Sequence, residues 1–148
     1  MHWHESYERF LRDPYLKVAL TARGSGCTVR CPCCGYYTLS EARAYEICTL
    51  CWWEDDGQDD PRADEVWGGP NHDYSLTQCR ENFAKHLTMY RPEDANFERC
   101  SANPELKRRC MQEFQRVSQL RDPSQFMLLL EELNVLVKSL RPFPRHES

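Results

Sequence analysis

Long apolar runs are missing from this sequence. No stretch of its 148 residues approaches the ~20 apolar residues that a membrane-spanning helix needs, and the longest run, FMLLL at 126–130, is far too short. The opening MHWHESYERFLRDP holds no apolar segment ahead of a cleavage site, so no signal peptide is expected and a cytoplasmic protein is. Internal repeats and low-complexity tracts are absent too. Histidine is sparse: His2, His4, His72, His86 and His146 place no pair of metal ligands on one helix face. His72 beside Asp73 has no recognisable serine or threonine nucleophile to serve, so hydrolytic catalysis is not expected. An excess of basic charge is also lacking. Arg9, Arg12, Lys17, Arg23 and Arg30, and later Lys107, Arg108 and Arg109, are interleaved with acids, and the formal charge is −4. Nucleic acid is therefore a disfavoured partner.

Cysteine, by contrast, is abundant, with nine in the chain. In the absence of a secretory signal, that number argues for metal ligation or structural thiols over a disulfide framework. Cys31 and Cys34, in CPCCGYYTL, form one C-x2-C pair; Cys48 and Cys51, in ICTLCWW, form another after thirteen intervening residues. The spacing is close to that of four-thiolate zinc sites, in which each tight turn points two sulfurs to one side and four at ~2.3 Å close a tetrahedron. Gly35 permits the positive φ that brings backbone N–H groups toward the sulfurs, and Pro32 presets the turn. One structural zinc ion per chain is expected on Cys31, Cys34, Cys48 and Cys51. A dithiol redox site competes for C-P-x-C, but it calls for a helix where YYTL resembles a strand, and it leaves the second pair unexplained. Cys33 is expected to face away from the metal as an exposed spare thiol. Cys27 fits a knuckle less well, Cys79 and Cys110 fall on apolar helix faces as small core residues, and Cys100 has no assigned place.

Charge is concentrated in one segment. Residues 54–73, EDDGQDDPRADEVWGGPNHD, hold eight acids against the single Arg62, a charge of −7 within a chain of −4. DDGQDD invites a calcium reading, yet its glycine comes third where an EF-hand loop needs one at the sixth position, so a solvated loop or contact surface is expected. Asp55, Asp56, Asp59 and Asp60 are the candidate partner-binding residues. Trp52, Trp53 and Trp67 flank the segment as core residues, any one of which could serve as an exposed anchor.

The expected fold class is α+β: a small zinc-ribbon-like β-hairpin, made by YYTL and YEI, packed with several helices. Trp3, Tyr7, Phe10 and Leu11 share one face of an N-terminal helix that Asp13-Pro14 interrupts. Ser75 and Gln78 spell a capping box for a helix carrying Cys79, Phe83 and Leu87. Asn103-Pro104 and Asp122-Pro123 each pair an N-cap with a first-turn proline. These open an αα-hairpin with Leu106, Cys110, Phe114 and Val117 on one helix and Phe126, Leu130, Leu133, Val137 and Leu140 on the other. The expected segments are 1–26 (helical), 27–92 (cysteine-rich with acidic loop and helix) and 93–148 (helical hairpin), together one compact unit.

The stretch from Arg30 to Phe83, through CPCCG, YEIC, WEDDGQDD, GGPN and SLTQCRENF, resembles the bacterial cysteine-rich CPCC family. The resemblance places the metal ligands on the same four cysteines. It also implies, for members beside toxin genes, an immunity protein that neutralises a toxin. Thr49 departs from the family pattern, which has proline there, and Cys79 stands where alanine is common. The expected function is a non-enzymatic, zinc-binding protein-interaction module whose partner is a protein, such as a basic toxin domain. A zinc-ribbon nucleic-acid-binding or regulatory protein is the alternative, and a thiol-redox enzyme ranks behind it.

Overall fold

The computed structural model describes residues 3–23 and 26–140; His2, Gly24, Ser25 and His146 lie outside them. Helix α1 (Trp3–Leu11) buries Trp3, Tyr7 and Phe10 on the expected face. Asp13 does more than end this helix. Its Oδ1 accepts the backbone N–H groups of Tyr15 and Leu16 at 3.0 and 3.2 Å, so with Pro14 at the first position it opens α2 (Pro14–Arg23) at once. Helix α3 (Leu76–His86) begins with the full capping box of Ser75 and Gln78, and Leu87 closes it with a left-handed φ of 59°. A one-turn helix, α4 (Phe97–Cys100), precedes α5 (Pro104–Gln115) and α6 (Pro123–Ser139). The last two pack on each other as the expected helical pair.

The two aspartate and asparagine caps part ways. Asp122 Oδ1 accepts from the Gln125 amide at 3.0 Å, as a cap should. Asn103 makes no side-chain cap; it takes φ 58°, ψ 51°, reversing the chain between α4 and α5.

The zinc-ribbon hairpin does not form. The described residues hold no sheet, only isolated antiparallel bridges at Val29–Leu39, Ile47–Glu54 and Val66–Ser75, so the fold is mostly helical. YYTL and YEI fail to pair with each other because each folds back across its own cysteine turn: Leu39 meets Val29, and Ile47 meets Glu54. Arg43, between them, and Tyr45, the first residue of YEI, take φ of 59° and 60°, which no strand tolerates. Glu46 closes this loop instead, its carboxylate accepting Ser40 Oγ at 2.6 Å and the Glu41 amide at 2.6 Å.

The aromatics of YYTL serve as a docking platform. Tyr37 stacks on Tyr7 of α1 with ring centres 4.0 Å apart, Tyr36 stacks on Trp3 at 5.2 Å, and Phe10 stacks on Phe126 of α6 at 4.9 Å. Phe114 of α5 completes this layer. Burying each such ring stabilises the fold by about 1.5–3 kcal/mol, so the first cysteine turn is pinned between both terminal regions.

Candidate metal centre

The two C-x2-C turns repeat one hydrogen-bond pattern. In the first, the Cys31 amide donates to Tyr36 O at 2.8 Å and the Gly35 amide to Cys31 O at 2.9 Å. In the second, Cys48 donates to Trp53 O at 2.9 Å and Trp52 to Cys48 O at 2.7 Å. The residue after each second cysteine is left-handed, Gly35 at φ 82° and Trp52 at φ 76°. Glycine reaches that conformation freely; tryptophan pays strain of about 1–2 kcal/mol, and the turn geometry imposes it nonetheless.

These turns bring the four expected ligands together. Cys31, Cys34, Cys48 and Cys51 offer sulfurs that all lie within 4.8 Å of one another, and three of the four residues are buried. Sulfurs at ~2.3 Å from a tetrahedral zinc stand about 3.8 Å apart. The observed Cys31–Cys51 and Cys34–Cys48 separations of 3.6 and 3.7 Å match that edge, and all four cysteines are free thiols. Donors already point at the sulfurs. Thr38 Oγ1 donates to Cys48 Sγ at 2.9 Å, the Cys51 amide to Cys48 Sγ at 3.4 Å and the Trp53 amide to Cys51 Sγ at 3.5 Å. Such donors favour thiolate over thiol. Burial pushes the Cys31 and Cys34 thiols up. Burial acts on Cys51 in the same sense, but hydrogen bonds from Cys31, Cys33, Cys34 and Cys48 outweigh it and hold Cys51 well below the usual thiol range. The donor set fits a soft, four-coordinate divalent ion.

The other cysteines are core residues. Cys33 corrects the expectation of an exposed thiol: it is 6% exposed, and burial pushes its thiol pKa up. The reason is α3, which Arg80 draws onto the first turn by donating from Nε to Pro32 O at 3.0 Å. Burial pushes Cys27 and Cys110 up to about 12, so both stay protonated. Cys79 and Cys100 are fully buried.

Chain outside the cysteine turns grips them by hydrogen bonds that sequence reasoning did not find. His4 Nε2 lies 2.8 Å from Gly35 O, and Tyr7 Oη donates to Cys27 O at 2.7 Å. Gln115 of α5 donates to Tyr36 Oη at 3.0 Å, and Thr49 Oγ1 to Val137 O of α6 at 2.9 Å. Thr49, where the resemblance leads one to expect proline, thus supplies the link from the second turn to α6.

The acidic segment is less of a bare charge field than its composition implies. Asp55 is 4% exposed, a correction to its expected place on a partner-facing surface. Its carboxylate accepts the Arg43 amide at 2.8 Å and the Gly57 amide at 3.3 Å, building the turn. Asp56 accepts from the Gln58 amide and from Asn71 Nδ2, so it too is partly structural. Asn71 clamps Glu54 by donating to its carbonyl at 2.8 Å and accepting from its amide at 3.1 Å, and Gln58 Nε2 donates to Arg62 O and Glu65 O. Asp59 and Asp60 are exposed, and Asp60 pairs with Arg80. A cleft of about 310 Å³ beside them is lined by Arg30, Arg43 and Arg80 as well as by Asp55, Asp59 and Asp60, so charges of both signs meet there. Among the tryptophans, Trp53 is fully buried and Trp67 is 44% exposed.

Two short cysteine turns thus bring four free thiols into one cluster that could hold a metal ion. The cysteine-rich CPCC family matches residues 29–103, half of the chain, and the protein belongs to that family. No curated protein and no solved structure matches it. The family region ends at Asn103, so α5 and α6, which contact both cysteine turns, lie beyond it.

Proposed function

We propose that the protein is a non-catalytic interaction module held in shape by one structural zinc ion. The observation that supports this reading is the gathering of four sulfurs, mutually within 4.8 Å; a zinc ion held by all four would have no position left for a substrate. An ion enclosed in this way contributes folding energy, and the same enclosure weighs against metal-assisted hydrolysis. The partner-facing surface is the exposed part of the acidic loop, where Asp59 and Asp60 reach solvent while Asp55 and Asp56 hold the backbone beneath them. A basic protein surface suits it, with charge steering the encounter. Surface ion pairs contribute little, ~0–1 kcal/mol, so a partner's arginine or lysine can displace Arg80 from Asp60. Neutralisation of a basic toxin domain is one form such a role takes, and it rests on the family resemblance.

Elemental analysis of the purified chain tests the metal. One zinc per chain is expected; Cys31→Ser should abolish it, and Cys33→Ser should retain it at reduced stability, because a hydroxyl replaces a buried thiol. A metal-free protein, or zinc lost equally from both variants, sinks the ligand assignment. For the surface, retention on a polycation resin should fall in Asp59→Asn/Asp60→Asn; unchanged retention assigns the charge elsewhere.

A further inference from the structure

Lys107 sits on α5, just beyond the residues that match the family, and is 2% exposed. A fully buried ammonium costs several kcal/mol unless something answers its charge. Its Nζ donates to two carbonyl oxygens, Leu87 O at 2.5 Å and Cys100 O at 2.5 Å. Both acceptors are neutral, and among the described residues no carboxylate is one of its hydrogen-bond partners. The Leu87 carbonyl belongs to a stretch that wraps the second cysteine turn: Met89 donates its amide to Cys51 O at 2.8 Å, and Thr88 Oγ1 reaches the same oxygen at 3.4 Å. Lys107 is therefore separated from Cys51 by one backbone segment. Its electrostatic surroundings agree. Burial pushes the Lys107 pKa down, whereas the sulfurs of Cys51, Cys48, Cys100 and Cys34 pull it back up. Three of those four are metal ligands.

We propose that Lys107 is the counter-cation of the tetrathiolate centre, so that metal loading fastens α5 to the cysteine turns. The inference rests on the metal reading above. Four thiolates around a divalent ion carry a net double negative charge inside a medium of low dielectric, and a buried ammonium nearby offsets part of it. With the thiols protonated and the ion gone, that charge vanishes and the ammonium stands uncompensated. Linkage makes the effect reciprocal: a docked Lys107 strengthens metal binding, and bound metal strengthens docking of α5. A family member's own metal core would in this way be coupled to helices lying outside the family region.

The competing role is a backbone clamp, in which Lys107 ties Leu87 O to Cys100 O irrespective of metal. Lys107→Met in the full-length protein separates the two, read by zinc affinity in chelator competition and by urea unfolding of zinc-loaded and zinc-free forms. The counter-cation role predicts one zinc per chain still bound but with affinity lowered about 10–100-fold, the range for partners lying just outside a metal's ligands. It also predicts a larger loss of stability in the loaded form than in the zinc-free form. Unchanged affinity, with equal losses in the two forms, leaves only the clamp and overturns the proposal. Should the variant fail to fold, amide exchange on the wild-type chain decides. Removing zinc should then deprotect α5 more than α1, whose His4 reaches the first turn at Gly35 O; equal change in both helices overturns the coupling. A wild-type chain that takes up no metal refutes the metal reading itself and is told apart by that first measurement.

Discussion

Asp55 and Asp59 look interchangeable in the string DDGQDD, yet they perform opposite tasks. Asp55 points inward and accepts two backbone amides, while Asp59 is exposed and caps a short 3₁₀ turn by accepting the Asp60 amide at 2.8 Å. Composition gives the charge of a segment; only the course of the backbone decides which carboxylates it consumes. Gly57 at φ 93° creates that course, and a side chain there would meet Arg43. Asp55→Asn is therefore expected to destabilise the fold by about 1–3 kcal/mol, because the amide can accept only through one oxygen and turns an N–H₂ toward a buried donor. Asp59→Asn should cost far less, since asparagine caps a turn as well as aspartate does. Comparing urea midpoints of the two variants checks this, and equal shifts would contradict the burial of Asp55. The four clustered cysteines were legible because metal chemistry dictates such a spacing. The left-handed conformation of Gly35 was legible too, but that of Trp52 was not, since nothing in a tryptophan announces a positive φ.

Among the elements, helix signals survived and strand signals did not. Ser75 with Gln78, and Asp122 with Pro123, act through atoms within one turn, so the sequence carries the whole interaction. YYTL and YEI needed a distant partner, and the bridges Val29–Leu39 and Ile47–Glu54 intercepted them first. Helix α2 was expected only as part of a helical segment 1–26, without bounds of its own, for a related reason: Asp13-Pro14 both stops one helix and starts the next, and among its first turns only Leu16 is buried, leaving no apolar periodicity to read. Thr49 is the clearest case of a residue whose meaning lies in another element. Its hydroxyl reaches Val137 O on α6, 88 residues away. Thr49→Val keeps the shape and removes the donor, so a loss of about 0.5–1.5 kcal/mol is expected with zinc stoichiometry unchanged. Denaturant unfolding read alongside elemental analysis tests both halves; a loss of metal would place Thr49 in the site itself.

Across the whole molecule, the three expected segments share one interior. Tyr7, Tyr37, Phe114 and Phe126 come from α1, the first cysteine turn, α5 and α6, and all four are packed in the same cluster. Hydrogen bonds from His4, Gln115 and Thr49 stitch the same segments together at the cysteine turns. A single cooperative unfolding transition is therefore expected for the zinc-loaded chain, with no independent unfolding of residues 93–148. Metal removal should weaken the whole unit, α5 more than α1. A structural zinc site contributes on the order of 10 kcal/mol, comparable to the entire net stability of a typical domain at ~5–15 kcal/mol. Stripped of metal, the turns lose the centre that holds Cys31 and Cys34 against Cys48 and Cys51, and the tyrosine platform between the flanking helices loses its support. Chelation under reducing conditions should then lower the unfolding midpoint sharply and broaden the transition. Returning zinc should restore one sharp transition. Calorimetry of loaded, stripped and reloaded protein makes the comparison; a stripped chain that unfolds at the same temperature, with the same sharpness, would mean that the aromatic core alone holds the fold and that the ion is incidental to it.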